Sequence, residues 1–445
     1  MIKETIVPPY YQTAQYQLPS DPEFKSKILA YISEQSSIHC FLDSNLYSLD
    51  QKQQYEWMAA CRPLNLLQIN RSSKAEFLHL KLKEFFVPGS WYFGILGYDL
   101  KNCLEALSSS NPDPIDAPDL VFFEAGVVIT QRDNLITIFS TSSPDIVWEE
   151  ILQTRGISTE LNDELKLIPE PFITKEIYLS QINKIRKHIL DGDIYELNFC
   201  QSFAANYGQI DTIALFEKMS SKTKAPFAAY FQFKDFLIMS SSPERFLQKI
   251  NSQLISQPIK GTISKSSDPQ QDLIQKKELI ESEKNRAENV MIVDLVRNDL
   301  SRSCKPGTVK VEELFGIYSF EKVHHLISTV SGDLKEETHG VDALLNCFPM
   351  GSMTGAPKVK SMELIEELES FKRGWYSGAI GYVSPESNFD FSVIIRSLIF
   401  NTEKKQLVLA VGGAIVHDSE AEQEYEESLL KAKSLFELLK NEGQS

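Results

Sequence analysis

Lys260 is the residue of this chain whose type and surroundings most directly suggest covalent chemistry. It lies between a proline and a glycine in the segment Gln257–Thr262, on a backbone of restricted shape. A primary amine becomes a nucleophile when it loses its proton, which requires a pKa lowered by burial or by a nearby cation. A lysine beside a turn is more often an exposed charge. The segment alone therefore predicts either a reactive amine or a surface lysine.

Charged side chains at helical spacing form a second group of candidates. A helix is predicted over about residues 268–294, because Ser267 or Asp268 suits its N-cap and Pro269 suits its first turn. It would place four polar residues along one side: Glu281, Lys284, Asn285 and Glu288.

A second such helix is predicted over about residues 420–439. Its apolar stripe consists of Tyr425, Leu429, Ala432, Phe436 and Leu439. Its other side carries Glu420, Glu424, Glu427 and Lys431. A charged stripe of this kind is by itself typical of a solvent-exposed helix face.

The remaining patterns divide the chain into two regions. Residues 1–153 mix short apolar runs with turn signals, which indicates an α+β region, and residues 154–172 are the best candidate for a linker. Residues 173–438 contain the chemical candidates. They begin with isoleucines at helical spacing over 177–189, a stop at Gly192 and a strand over about 194–203. A further helix is predicted over 359–368.

Composition excludes several classes of protein. The 445 residues include 45 basic and 61 acidic side chains, and the net charge of −16 argues against a nucleic-acid or anionic-membrane partner. The six cysteines form no CxxC pair, which predicts reduced thiols and no zinc site. No apolar run approaches the ~18 residues of a membrane span, and no targeting pattern is visible at the start. We therefore expect a cytoplasmic protein.

Seven segments identify a family to which the chain is similar. They are Ser242–Phe246, Gln257–Thr262, Arg286–Asp294, Thr354–Lys358, Gly374–Gly381, Phe389–Arg396 and Gly412–Val416. In this order they resemble the chorismate-utilising enzymes, which include anthranilate synthase component I and aminodeoxychorismate synthase component I. The likeness covers about residues 173–438 and extends weakly to residues 41–44 and 93–99. It implies an α+β fold, a four-layer α/β/β/α sandwich of two large antiparallel sheets flanked by helices, with both regions in one compact body.

The resemblance also implies a Mg²⁺ site. Glu288 and Glu427 match the family's magnesium ligands, and Glu424 matches a further acidic position near the metal. Oxygen ligands that leave room for water and a substrate carboxylate suit Mg²⁺. Asn285 replaces a residue that is usually acidic in the family, which lowers the charge around the ion. Spacing does not connect Glu288 with Glu427, because they lie on different predicted helices.

A carboxylate-binding group is implied as well. Tyr376, Arg396 and Lys431 match the residues that hold the enolpyruvyl carboxylate of chorismate, and an arginine fork suits a carboxylate in charge and geometry. The family contributes backbone groups there at positions matching Gly412, Gly413 and Ala414. The residues alone leave another interpretation open, in which Arg396 forms a buried structural ion pair.

Two side chains match the family's proton-transfer residues. Loss of a ring hydroxyl requires a proton donor, because hydroxide is a poor leaving group. Glu244 matches the general acid, a role that requires a raised pKa. His325 matches the active-site histidine, although beside His324 it is equally consistent with a core residue. Gly261 and Thr262 would line the ring side of the pocket.

Two positions distinguish the reactions of the family. Isochorismate and salicylate synthases place a lysine, the base for water, where this chain has Glu196, so water addition is disfavoured. Anthranilate synthases usually carry alanine at the position of Lys260, whereas aminodeoxychorismate synthases carry lysine. If Lys260 adds at C2 while the C4 hydroxyl leaves as water, ammonia can add at C4 and expel the lysine. The expected product is 4-amino-4-deoxychorismate, a precursor of 4-aminobenzoate and folate.

The nitrogen source and the alternative functions follow from the same likeness. Nothing in the chain resembles a glutamine amidotransferase, so we expect a separate glutamine amidotransferase subunit to supply ammonia. The first alternative is anthranilate synthase component I, which aminates chorismate at C2. A second alternative, of another class, is a catalytically silent partner protein that binds chorismate or tryptophan.

Three further features are departures from the family pattern or leave alternatives open. The family motif usually continues from Gly-Thr to Pro-Arg, but here Ile263–Ser266 follow, so a basic contact is absent or supplied by Lys265. Asp43 and Ser44 lie in a segment resembling the one where some relatives bind tryptophan, either as a feedback inhibitor or as a structural ligand. Lys358 either adds positive potential to the site or is solvated.

Overall fold

The computed structural model describes residues 11–47, 52–70, 75–156 and 167–440. The strands in these residues are β1 (Gln12–Gln17), β2 (Ile38–Asp43), β3 (Trp57–Ile69), β4 (Tyr92–Leu96), β5 (Leu120–Arg132), β6 (Leu135–Ser140), β7 (Glu170–Pro171), β8 (Glu196–Asn206), β9 (Phe227–Phe233), β10 (Phe236–Ser242), β11 (Arg245–Ile250), β12 (Gln253–Gln257), β13 (Ile259–Ser264), β14 (Lys310–Ser319), β15 (Val323–Asp333), β16 (Gly355–Ala356), β17 (Ala379–Val383), β18 (Phe389–Val393), β19 (Ser397–Asn401) and β20 (Gln406–Ile415). The helices are α1 (Phe24–Gln35), α2 (Ala75–Phe85), α3 (Lys101–Leu104), α4 (Pro144–Gln153), α5 (Lys175–Leu190), α6 (Thr212–Thr223), α7 (Pro269–Glu281), α8 (Glu283–Ser303), α9 (Gly340–Cys347), α10 (Lys358–Leu368) and α11 (Ala421–Lys440).

Antiparallel pairing joins the strands into two large sheets. The first sheet has the order β1-β6-β5-β3-β2-β9-β10-β19-β20-β8, with the short β7 and β16 also paired to β8. The second has the order β5-β4-β17-β18-β11-β12-β15-β14, and β13 continues the line of β12 along β15. Strand β5 belongs to both sheets, because its first half pairs with β4 and its second half with β6.

Apolar side chains hold the layers together. Helices α1, α4, α6 and α11 bury Phe24, Val147, Phe216 and Leu435 against the outer face of the first sheet. Another cluster joins side chains of both sheets to α2, α8 and α9. The predicted α+β class, with two large antiparallel sheets flanked by helices, is therefore confirmed.

Local predictions agree with the structure except at one point. Helices α5, α10 and α11 lie within two residues of the predicted bounds, and the side chain of Asp268 caps α7 as expected. The single helix predicted over 268–294 is wrong. Ser282 interrupts it with an extended ψ of 112°, and its hydroxyl accepts a hydrogen bond from the amide of Asn285, which starts α8. Glu281 consequently ends α7, whereas Glu288 lies on a separate helix that continues to Ser303.

Strands from both predicted regions pair directly. β2 pairs with β9, and β4 pairs with β17. The predicted linker falls partly on residues 157–166, which lie outside the described residues, and the division at 154–172 stays a prediction. All six cysteines are buried, and none of them forms a disulfide. Among the described helices, none combines the length and apolar character needed to cross a membrane.

Candidate active site

The candidate site lies where the two sheets approach each other. Lys260 on β13 of the second sheet donates a hydrogen bond of 2.6 Å from its Nζ to Oε1 of Glu196 on β8 of the first sheet. The side chains are 10% and 2% exposed, respectively. The alternative interpretation of Lys260 as an exposed surface charge is therefore wrong.

The local backbone explains how the amine reaches the other sheet. Pro258 separates β12 from β13, and one extra residue of β13 lies between its successive pairings with β15, which forms a β-bulge. Gly261, inside the bulge, has a φ of +96°, a conformation that strains residues with a side chain. A Cβ there would also lie 3.2 Å from the side chain of Asn285. The bulge directs Lys260 away from the ladder and toward Glu196.

The charge of Lys260 is set by several carboxylates. Burial alone lowers its pKa, but the negative charges of Glu196, Glu288 and Glu244 raise the pKa above the ordinary value for lysine. The free protein therefore holds an ammonium group in this position. A lowered pKa, which the sequence makes a condition for nucleophilic attack, is not found, and the amine needs a proton acceptor before it can react.

Glu244 has the properties of a proton donor. It lies in the loop between β10 and β11 and is buried, and its amide donates to the Ser242 hydroxyl at 3.2 Å. Burial raises the pKa of Glu244 to about 7, although the nearby charge of Lys260 opposes this. A large fraction of this carboxyl group is therefore protonated at neutral pH, as general acid catalysis requires.

The adjacent residues His324 and His325 contact different parts of the protein. His325 is buried, and its Nδ1 lies 2.8 Å from the Thr262 hydroxyl on the neighbouring strand. Burial, together with the charge of Arg396, lowers the pKa of His325 to about 3, so the imidazole is neutral. His324 instead contacts Asp272 at 2.7 Å on α7. Strand alternation thus separates a histidine beside the site from one that fixes a helix.

Arg396 and Lys431 form a cationic corner next to Tyr376. The Arg396 guanidinium donates to the carbonyl of Lys431 at 3.3 Å, and Lys431 Nζ donates to the carbonyl of Gly412 at 2.9 Å. Within the described ranges no carboxylate forms an ion pair with Arg396, so the interpretation as a structural ion pair is wrong. Its φ of +53°, unusual for arginine, is consistent with a functional position.

The predicted backbone contacts lie on β20, opposite β8. They are Gly412, Gly413 and Ala414. A Cβ at Gly412 would lie 2.5 Å from the Cys200 sulfur, so the close strand pairing there requires glycine. A Cβ at Gly413 would lie 3.4 Å from Lys431 Nζ and 3.6 Å from a carboxylate oxygen of Glu424. The strand backbone therefore runs beside the cationic corner and the acidic residues of α11.

The three predicted metal ligands lie near two lysines. Lys284 Nζ is 3.4 Å from Oε1 of Glu424 and 3.9 Å from Oε1 of Glu288, and Lys431 Nζ is 2.7 Å from Oε1 of Glu427. Glu424 is only 4% exposed and accepts a hydrogen bond from the hydroxyl of a serine before α11. The charged stripe of α11 is thus partly buried at the site, not solvated throughout as its spacing alone indicates.

These carboxylates fit a Mg²⁺ site whose coordination is completed by water and by oxygens of the substrate. In the part of the chain that the structure describes, no three His, Cys, Asp or Glu side chains form a ready metal cluster. Mg²⁺ is commonly held by one or two carboxylates together with water and substrate oxygens. Oε1 of Glu288 is buried without a hydrogen-bond partner, and burial raises the pKa of Glu288, whereas Lys431 lowers the pKa of Glu427 and favours its anionic form. The oxygen donors therefore match the preference of this ion.

Asp43 and Ser44 lie away from these groups, in a pocket at the end of β2. Pro226, Phe227 and Tyr382 are among its lining residues. Lys25 Nζ contacts both carboxylate oxygens of Asp43 at 2.9 Å, and the Ser44 hydroxyl donates to a backbone carbonyl. A ligand with an ammonium group would have to compete with this lysine.

Two features of the site were not predicted from the sequence. The sequence marks Glu196 only as a replacement for a lysine of other family members, yet it is the hydrogen-bond partner of Lys260. An acidic residue at the start of β8, followed by the apolar Leu197 and Phe199, is the signal that could have indicated a buried partner. Lys358 is neither solvated nor a free source of positive potential, because its Nζ lies 2.6 Å from Asp299 in a buried ion pair.

Comparisons with known proteins agree with this arrangement. The sequence model of the family described as chorismate binding enzyme matches residues 25–437. Aminodeoxychorismate synthase component 1 of Klebsiella aerogenes is 36% identical over 352 residues, which are 78% of this chain and 77% of that protein. Anthranilate synthase component 1 of Aquifex aeolicus is 31% identical over 377 residues, 79% of this chain and 75% of that protein.

A solved structure shares the fold. The crystal structure of anthranilate synthase component I from Streptococcus pneumoniae superposes with a TM-score of 0.75 at 26% identity, covering 85% of this chain and 91% of the other. The similarity extends across both predicted regions of the chain.

Proposed function

The chain belongs to the family of chorismate-binding enzymes, and from this premise we propose that it aminates chorismate at C4 to give 4-amino-4-deoxychorismate. The observation that carries the choice is Lys260, a buried amine held 2.6 Å from Glu196 beside the acidic Glu244. A relative described as aminodeoxychorismate synthase component 1 is 36% identical over most of the chain, and this likeness supports the same reaction.

The reaction uses a proton donor, a nucleophile and a cationic corner that binds a substrate carboxylate. Glu244 donates a proton to the C4 hydroxyl, which leaves as water, while Nζ of Lys260 forms a bond to C2 and both ring double bonds shift by one position. Ammonia then adds at C4, both double bonds shift back, and the bond between Lys260 and C2 breaks. The enolpyruvyl group stays on the ring, so no pyruvate is released. The covalent amine keeps ammonia from adding at C2.

The remaining residues orient the substrate. Arg396, Lys431 and Tyr376 would hold the enolpyruvyl carboxylate together with the backbone of residues 412–414, because an arginine fork and close backbone suit that group. Neutral His325 would hydrogen-bond to the oxygen that leaves from C4. Gly261 and Thr262, next to the bulge, would face the ring.

Glu288 and Glu427, with Glu424 nearby, would hold Mg²⁺. When bound, this ion supplies positive charge opposite the second carboxylate of chorismate. The neutral Asn285 leaves the ligand set with fewer negative charges than is usual in the family. Exclusion of water from the buried site strengthens each of these charge interactions.

Two partners belong to the proposal. Ammonia would come from glutamine through a separate glutamine amidotransferase subunit. The pocket next to Asp43 and Ser44 would accept tryptophan, whose ammonium group would replace Lys25 at the carboxylate of Asp43 and whose ring suits Phe227. Calorimetric titration with tryptophan checks this point, and Asp43→Asn should abolish any binding.

Product analysis tests the proposed reaction. Purified protein with chorismate, Mg²⁺ and an ammonium salt should form 4-amino-4-deoxychorismate without pyruvate. Formation of fluorescent anthranilate with release of pyruvate would instead establish amination at C2. Chorismate binding without any product would establish a catalytically silent binding protein.

A further inference from the structure

We propose that Glu196 accepts the proton of Lys260 when the amine attacks chorismate and returns it when the lysine is released. This inference rests on the proposed amination at C4 and deepens it. It adds to the site a residue that lies on the opposite sheet from Lys260 and 64 positions before it in the chain.

The contact between the two side chains provides the most direct route for the proton. Within the described residues, Glu196 is the hydrogen-bond partner of Nζ of Lys260, at 2.6 Å. Both side chains are almost completely buried, so direct loss of the proton to bulk water is slow. An ammonium has no lone pair, and it must therefore pass a proton to a group in contact before it can form a bond to carbon.

The second oxygen of Glu196 supports the same role. Oε2 is buried and has no hydrogen-bond partner, so the carboxylate is not committed to a structural network. The backbone is firmly placed, because Glu196 pairs with Ala356 on β16 and its carbonyl accepts a hydrogen bond from the Ser361 hydroxyl at 3.3 Å. The fixed backbone keeps the carboxylate beside Lys260, and its unbonded oxygen allows Glu196 to take up a proton without breaking another hydrogen bond.

The step balances in protons and bonds. The proton of Nζ moves to Oε1 of Glu196, the amine forms its bond to C2, and the C4–oxygen bond breaks as Glu244 supplies the proton that makes water. When ammonia adds at C4, the bond from C2 to nitrogen breaks and the released lysine regains its proton from Glu196. The new ammonium at C4 then gives one proton to Glu244. The net reaction is chorismate plus ammonia to 4-amino-4-deoxychorismate plus water.

Glu196→Gln tests the role directly. The amide oxygen still accepts a hydrogen bond from Lys260, so the amine stays in place, but the amide accepts no proton. We expect kcat to fall by roughly 10²-fold at neutral pH. Below about pH 7 the remaining activity should rise with pH, because Lys260 must lose its proton to solvent. The wild type should not show this rise.

A matched control separates this role from simple stability. Asp299→Asn neutralises the carboxylate of a second buried ion pair, in which Lys358 Nζ also lies 2.6 Å from its carboxylate partner. We place this pair outside the active site. The variant should keep the kcat and pH profile of the wild type. Glu196→Asp, which retains a proton acceptor, should be more active than Glu196→Gln and should keep the pH profile of the wild type.

The outcomes distinguish this inference from the proposed function. A wild-type rate and pH profile in Glu196→Gln, or equal losses in Glu196→Gln and Glu196→Asp, would overturn the role of Glu196 while leaving amination intact. If Glu196→Gln does not fold, a wild-type profile in Glu196→Asp supports the role, and a changed profile overturns it. If the wild type makes anthranilate or no product, the proposed function itself fails.

Discussion

Two buried lysine–carboxylate pairs in this protein have almost the same geometry. Lys260 with Glu196 and Lys358 with Asp299 are both 2.6 Å apart, and no side chain among the four is more than 10% exposed. In each pair the second carboxylate oxygen is buried without a hydrogen-bond partner. Length, burial and unsatisfied atoms therefore do not separate a reactive pair from a structural one.

The surroundings of the two pairs differ. Lys358 stands at the start of α10 and also donates to the carbonyl of Cys347 at 3.3 Å, so it joins α10 to α8 and to the end of α9. Lys260 lies instead among Glu196, Glu288 and Glu244, which are titratable groups. A buried ion pair gains a chemical role from neighbours that can exchange protons or bind a substrate.

Replacing Lys260 should produce the largest effect on activity. Lys260→Ala removes the nucleophile, and we expect amination at C4 to slow by about 10³-fold, or about 4 kcal/mol in activation free energy. We expect residual turnover to be diverted to C2, which fluorescence of anthranilate reports. Lys358→Ala is the matched change in the other pair and should leave the rate per folded molecule unchanged. Equal rates of product formation in Lys260→Ala and the wild type would contradict the comparison.

Breaking the Lys358–Asp299 pair should mainly lower the stability of the protein. Asp299→Asn leaves the Lys358 ammonium buried without its counter-charge, and we expect the free energy of unfolding to fall by about 3 kcal/mol. Urea denaturation followed by tryptophan fluorescence measures this value. The pair would not be structural if the variant kept wild-type stability but lost amination.

The pH dependence of kcat/KM should reflect Glu244, a neighbour of the Lys260–Glu196 pair. The carboxyl of Glu244 has its pKa raised by burial from 4.5 to about 7, and catalysis requires the protonated form. The value of kcat/KM should therefore fall as pH rises above about 7, by about tenfold per pH unit.

The free energy of unfolding should also depend on the protonation of Glu244. Because the folded state binds the proton of Glu244 more tightly than the unfolded state, the free energy of unfolding should decrease as pH rises from 4.5 toward about 7. Glu244→Gln should remove this contribution, and Asp299→Asn should keep it. A stability profile of Glu244→Gln identical to that of the wild type would show that Glu244 titrates normally.

The smallest expected effect concerns Lys284, a cation that is only half-buried. Its Nζ lies between Glu424 and Glu288, where it offsets their negative charge. Lys284→Met should tighten Mg²⁺ binding by about threefold to tenfold in calorimetry without chorismate, since an exposed charge is screened. Lys277→Met, an equal charge change at an exposed position of α7, should leave the affinity unchanged. Weaker binding by Lys284→Met would contradict this account.

Secondary-structure elements were predicted from the sequence more accurately than the side-chain contacts between them. The spacing in α11 correctly gave a helix, and the order of motifs correctly indicated the fold. The interruption at Ser282 was missed, because a serine inside a run of helix-forming residues is compatible with a continuous helix until its side chain caps the next one.

The two ion pairs show why contacts were harder to predict. Glu196 and Lys260 are 64 positions apart and belong to different sheets, and Asp299 and Lys358 are 59 apart. Neither distance is encoded in a local pattern, because β-sheet pairing and helix packing bring such residues together only in the complete fold. The family resemblance assigned expected roles to single residues, whereas the contact between Glu196 and Lys260 became visible only in the folded structure.

Peptide mass spectrometry of protein mixed with chorismate and Mg²⁺ in the absence of ammonia tests the central claim most directly. The account predicts a covalent adduct, equal in mass to chorismate minus water, on the peptide that contains Lys260. The adduct should form rapidly in Asp299→Asn, slowly in Glu196→Gln and not at all in Lys260→Ala. Amination at the wild-type rate by Lys260→Ala, with no adduct in any protein, would contradict the claim that this buried amine is the nucleophile.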